Sequence, residues 1–145
     1  MKSKQAFFQQ TVAFIASVHS MHYEMTKTMP LHGLTSLQYE LLEFLAVEQP
    51  LTPSRISECK GISMPNTSRE LRKLTEMGLC ERLSDATDRR KQYIRLTASG
   101  EKYMADAFAH MQAELWRQLE DVDDSGLEQI AEAMALLQEK VFRGK

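Results

Sequence analysis

A short cationic helix followed at once by a charged hairpin constrains this chain more than any other feature. Across residues 63–77, Thr67, Leu71 and Leu74 recur at helical spacing and define one apolar face. Ser63 reads as the N-cap, Pro65 is tolerated in the first turn, and Gly78 ends the helix. Residues 79–84 and 91–96 are then strand-like, the second with clear alternation, and Asp85-Ala86-Thr87-Asp88 forms the loop between them. Neither element can bury its apolar side alone, so other helices must cover both.

Those helices are legible on either side. Thr35-x-x-Gln38 is a capping box that opens a helix with Leu37, Leu41, Leu42 and Leu45 on one face, and Pro50 follows its end. Thr52 with Pro53 starts a short helix that runs through Lys60 to Gly61. At the N-terminus, Phe7, Thr11, Phe14, Val18, Met21 and Met25 make a heptad-like seam that ends near Pro30 and Gly33. After the hairpin, Thr97 and Ser99 are candidate caps for a long helix carrying Met104, Phe108, Met111, Leu115 and Leu119. Residues 123–126 break it, and Ser125-x-x-Glu128 reads as a second capping box. The last helix carries Leu127, Ile130, Met134, Leu137 and Val141. The order is four helices, a two-stranded hairpin and two helices. The terminal seams are long for so thin a core. Either two chains bury them mutually about a two-fold axis or the first and last helices pair within one chain.

Charge points to the same central segment. The net charge of −2 does not itself announce a nucleic-acid partner. Residues 52–97, however, hold ten Lys/Arg against six Asp/Glu, while residues 98–145 hold five against ten. With Thr67, Leu71 and Leu74 inward, the helix presents Asn66, Ser68, Arg69, Arg72 and Lys73 outward, with Pro65 at the leading end. Asparagine pairs with adenine and arginine with guanine, while serine and lysine hold phosphates. Asn66 and Arg69 are the expected base readers, and Ser68, Arg72 and Lys73 the expected partners of phosphates or edges. Thr67 lies in the same stretch and is counted with it. On the hairpin, Asp88 and Arg90 stand on one side of an extended chain, where the acid can fix the guanidinium. Arg89 and Lys91 add phosphate contacts. The plainer alternatives are a solvated helix face with a weak Glu70–Lys73 pair and a salt bridge that only stiffens a turn.

These pieces together resemble the MarR (multiple-antibiotic-resistance regulator) family. The resemblance rests on Leu34-Thr35 with Gln38, Arg55-Ile56-Ser57, Gly61-Ile62-Ser63, Leu71, Leu74, Gly78-Leu79, Glu81-Arg82, Asp88-x-Arg90, Leu96-Thr97 and Gly100. It covers roughly half the chain, with Asp-x-Arg followed by Leu-Thr its most specific part. It implies a mainly α, winged helix-turn-helix fold. The single domain would span residues 1–145, with residues 34–97 as the DNA-binding lobe and residues 1–33 and 98–145 as dimerisation helices. It further implies a homodimeric transcription regulator, usually a repressor, that binds an inverted repeat in double-stranded DNA and is released by a small ligand or by oxidation. Arg90 inherits a minor-groove role. The competing reading is a winged helix used only to bind protein.

An effector pocket between dimer helices and lobe is also implied, with His19, His22, Tyr23, Tyr39 and Phe44 as candidate lining for an aromatic ligand. Peroxide sensing in the family uses a cysteine in the first helix, and this chain has none before Cys59. Cys59 is expected to face the core of its short helix and Cys80 to sit in a strand, both inert. The four histidines do not cluster with them at metal-ligand spacing, and no metal or cofactor is expected. Neither a Gly-rich phosphate loop nor HExxH appears, so no enzyme is indicated. No apolar run reaches the roughly 20 residues of a membrane helix. A reducing cytoplasm suits the cysteine usage.

Overall fold

The computed structural model describes residues 3–142. It consists of α1 (Lys4–Thr26), α2 (Ser36–Glu48), α3 (Pro53–Lys60), α4 (Met64–Glu76), β1 (Cys80–Ser84), β2 (Gln92–Leu96), α5 (Ala98–Gln118) and α6 (Asp124–Lys140). The order is the expected one. The chain divides into two compact units, one of residues 26–110 and one made of the described residues on either side of it.

The central unit holds the closed core. Leu41, Leu42 and Leu45 of α2, Ile56 of α3, Leu71 and Leu74 of α4, and Ile94 of β2 are fully buried. Leu96, Met104 and Cys80 extend the same core. Each such aliphatic side chain stabilises the fold by about 1.5–3 kcal/mol. Local signals set the helix ends. Thr35 and Gln38 form the reciprocal capping box on α2. Thr52 accepts from the Arg55 N–H with Pro53 at the start of α3. Gly61 leaves α3 in the left-handed region at φ 63°. Ser63 caps α4 through the Asn66 N–H. Thr97 serves as the cap of α5, its hydroxyl oxygen accepting from the Gly100 N–H at 3.1 Å.

β1 and β2 pair antiparallel, from Cys80 opposite Leu96 to Ser84 opposite Gln92. Leu51 adds a short bridge to Ile94, each accepting the other's N–H. At Gly100 the chain has no room for a side chain, since a Cβ there would lie 2.1 Å from the Leu79 carbonyl oxygen. The first turn of α5 therefore packs directly on the backbone that leads into β1.

The second unit differs in kind. Among the described residues, neither α1 nor α6 buries a single one. Phe7, Phe8, Val12, Phe14, Ile15 and Val18 are exposed along α1, as are Ile130, Met134 and Leu136 on α6.

Three local expectations are corrected. α1 ends at Thr26, short of Pro30. Asp123, not Ser125, caps α6, its carboxylate accepting from the Gly126 N–H at 2.7 Å. With the helix starting at Asp124, Ser125 is already inside the first turn. Cys59 is exposed rather than core-facing, because Ile56 alone occupies the inward side of an eight-residue helix.

Candidate nucleic-acid interface

The interface is built on α4 and the hairpin, both in the central unit. Thr67, Leu71 and Leu74 are the buried residues of α4, and this fixes which side faces out. Arg69, Arg72 and Lys73 are exposed, Asn66 and Ser68 are half-buried, and Pro65 stands exposed at the leading end. Arg69 donates to the Asn66 side-chain oxygen at 3.5 Å, so the two expected base readers sit together one turn apart.

Thr67 departs from its neighbours. It is fully buried, and its hydroxyl donates to the Ser63 carbonyl at 2.9 Å. Its side chain offers no surface to a ligand, so its role is in the core.

A polar tie positions α4. Gln38, buried in α2, donates from its amide to the Glu70 carboxylate at 3.0 Å. The same side chain accepts the Thr35 N–H through its carbonyl. Glu70 is largely covered, with 12% of its side chain exposed, and Lys73 lies 3.5 Å from its other oxygen. Glu70 is therefore turned toward α2, where it holds Gln38 through one oxygen and meets Lys73 with the other. Nothing in the sequence pattern marked Gln38 for this second task, since a contact across 32 residues leaves no periodic trace.

The wing tip expected between the strands is present, but around Asp88 and Arg90 it is a turn and not an extended chain. The Lys91 N–H reaches the Asp88 carbonyl at 3.0 Å, closing a turn around Arg89 and Arg90. Within it the Asp88 carboxylate accepts the Arg90 backbone N–H at 3.0 Å and its Nε at 3.4 Å. The expected Asp88–Arg90 pairing is therefore present, in the form of an Asx-turn. The Arg90 side chain is 93% exposed. Arg89 and Lys91 are also exposed. Lower on the hairpin, Arg95 pairs with its cross-strand partner Glu81 at 2.6 Å.

A residue without an assigned role in the sequence reading organises this tip. Asp85 Oδ1 accepts from the Thr87 N–H at 2.8 Å, the Thr87 hydroxyl at 2.7 Å and the Asp88 N–H at 3.2 Å. The Tyr93 hydroxyl donates to Oδ2 at 3.4 Å. The Thr87 hydroxyl and the Thr87 and Asp88 amides lower the Asp85 carboxyl to about 2.

The five candidate effector residues lie in different units. His19, His22 and Tyr23 are on α1. Tyr39 is buried on α2, and burial, with Glu43 hydrogen-bonded to it, holds its phenol above the ordinary range. Phe44 carries the Lys60 ammonium 5.2 Å above its ring. Within the central unit a separate cleft is lined by Met29, Pro30, His32, Tyr103, Asp106 and His110. There Tyr103 meets His32 edge-on and donates to the Leu31 carbonyl at 2.9 Å. Among the described residues, no three His, Cys, Asp or Glu gather as metal ligands, and no helix is long and apolar enough to cross a membrane.

The fold that carries this arrangement is shared with known proteins. The MarR family model matches residues 32–91, from the start of the lobe to the wing tip. The uncharacterized HTH-type transcriptional regulator YdgG of Bacillus subtilis is 28% identical over 126 residues, covering 86% of this chain and 82% of that one. A MarR family protein from Bacillus stearothermophilus has the same fold at a TM-score of 0.79, with 17% identity over 99% of this chain and all of that one. MepR of S. aureus, solved with ethidium bromide bound, gives a TM-score of 0.60 with 25% identity, over 90% of this chain and 95% of that one. The lobe at residues 32–91 thus matches the MarR family in sequence, and the chain as a whole has the winged helix-turn-helix fold of a solved MarR family protein.

Proposed function

We propose that this chain represses transcription by gripping an inverted repeat in duplex DNA as a homodimer, and that a small aromatic ligand releases it. One observation carries the reading. Arg69, Arg72 and Lys73 share the exposed face of a helix whose other face is locked into the core, and the wing of the same unit holds Arg89, Arg90 and Lys91 exposed. A helix of this kind enters a major groove, and a cationic wing suits the narrow, strongly negative minor groove beside it. Asn66 and Arg69 read base edges, Ser68, Arg72 and Lys73 hold phosphates, and Arg90 enters the minor groove.

The homodimer is supported by the unburied apolar residues of α1 and α6, which a second copy would cover. On this reading residues 34–97 form the DNA-binding lobe of a single domain, and residues 1–33 and 98–145 supply dimerisation helices. Two-fold symmetry then sets half-sites about ten base pairs apart. The effector reading draws on MepR with its planar aromatic cation and on the cleft beside Tyr103 and Asp106. Two free cysteines fit a reducing cytoplasm.

Selection of bound duplexes from a random pool tests the reading. The expected product is an inverted repeat of that spacing, bound with an affinity that falls steeply as salt rises. Recovery of no preferred duplex, with no binding at low ionic strength, would replace it with the protein-interaction reading.

A further inference from the structure

We propose that Asp85 is a positioning residue for DNA binding: its carboxylate fixes the wing tip in one shape and thereby presents Arg90 ready to engage a duplex. The inference rests on the DNA-binding reading above and adds a residue that need touch no nucleotide.

Two main-chain bonds close the tip, from the Asp85 N–H to the Lys91 carbonyl and from the Lys91 N–H to the Asp88 carbonyl, each at 3.0 Å, and side chains must fix the shape between them. Ala86, Thr87, Arg89, Arg90 and Lys91 are all exposed, so no apolar burial orders them. A loop of this kind loses conformational freedom when a partner immobilises it, and binding weakens by that amount unless the loop is ordered beforehand. Here the order comes from a relay of polar contacts. Tyr93, on β2, donates to one Asp85 oxygen. The other oxygen gathers the Thr87 N–H and hydroxyl and the Asp88 N–H. Asp88, so held, accepts from the Arg90 backbone and guanidinium. An aspartate is required for these short rings, since a glutamate is one carbon too long to close them on residues two and three positions further along. The depressed Asp85 carboxyl agrees with a carboxylate that receives several donors.

Simple electrostatics predicts the opposite of this proposal. An acid beside a polyanion weakens binding, so removing its charge should tighten the complex, and Asp85→Asn and Asp85→Ala should act alike. On the positioning account the two variants separate. Asn keeps a carbonyl oxygen for the Thr87 and Asp88 donors, whereas Ala keeps nothing.

The test uses the full chain and a duplex of about 30 base pairs at low ionic strength, long enough for two successive major grooves. Asp85→Ala is expected to bind roughly tenfold more weakly than the native chain, and Asp85→Asn to remain within about threefold of it. The salt dependence of Asp85→Ala should match the native slope, while Arg90→Ala lowers that slope by about one. Without DNA, backbone order parameters at Thr87, Asp88 and Arg90 should fall from near 0.85 to below about 0.6 in Asp85→Ala, with the thermal midpoint unchanged. Equal or tighter binding by Asp85→Ala, or unaltered order at the tip, overturns the proposal. A native chain that ignores the duplex removes the DNA reading instead, and the order parameters then decide by themselves whether Asp85 holds the tip.

Discussion

In the central unit, Leu41, Leu42, Leu45, Ile56, Leu71, Leu74 and Ile94 are sealed from water, whereas Phe7, Phe14, Val18 and Met134 on α1 and α6 stand in it. The two sets are similar in chemistry and opposite in burial. The central residues find partners within a short stretch of chain, because three helices and a hairpin close on one another. The terminal helices present seams with the same helical periodicity, and the chain leaves their described residues exposed or at most half-covered. A periodic apolar stripe thus announces that something will be buried, but not whether the same chain buries it.

The largest expected effect breaks the open region. Phe14→Asp would carry a carboxylate into an apolar seam, and dimerisation should weaken by about 4 kcal/mol or more. Light scattering would then give the mass of one chain while the lobe keeps its circular dichroism. A dimer that survives unaltered would mean that this seam is not the interface. In the closed unit the loss should fall on folding. Leu74→Ala is expected to destabilise by about 2–5 kcal/mol in chemical denaturation through the cavity it leaves. Gly100→Ala should cost about 3 kcal/mol, because its methyl group meets the Leu79 carbonyl with no flexible neighbour to yield.

Arg69→Ala and Arg90→Ala should leave the thermal midpoint in place and weaken duplex binding by about 1–3 kcal/mol each. Loss of folding instead would assign these residues to structure. The two cysteines sharpen the contrast at smaller scale. Burial pushes the Cys80 thiol up to about 12, so a thiol reagent at neutral pH should label Cys59 in the native chain and Cys80 only after unfolding. Cys59→Ser should change stability by less than about 0.5 kcal/mol.

The smallest effect concerns acid. The folded Asp85 carboxyl lies below its ordinary value, so its contribution to the wing is present above that value. It is lost as pH falls through about 2. Its carboxyl carbon resonance should therefore stay flat as pH falls through the ordinary carboxylate range. Titration near 4 would show that the tip contacts are not maintained in solution.

Legibility followed the range of the interaction. Caps act over three residues, and Thr35 with Gln38, Thr52 and Ser63 were readable directly. The alternation of β2 and the inward set on α4 were equally plain. At residues 123–128 several polar groups competed for the cap, and Asp123 took it, a choice that composition does not rank. Cys59 misled because one turn of an eight-residue helix defines a face poorly. Thr67 belongs by chemistry with the polar face and by spacing with the core, and spacing prevailed once Ser63 accepted its hydroxyl. The two ties that shape the interface were invisible for different reasons. Gln38 to Glu70 spans two helices, and Asp85 draws half its donors from backbone amides that any sequence would supply and another from Tyr93 eight residues on.

Gln38 has a mechanical consequence. Its carbonyl closes the start of α2 while its amide grips the middle of α4, so one rigid planar group couples two helices. The start of α2 cannot unwind without releasing the carboxylate that α4 turns toward it. Fraying at one helix end and misalignment of the exposed arginines on α4 thus become the same event.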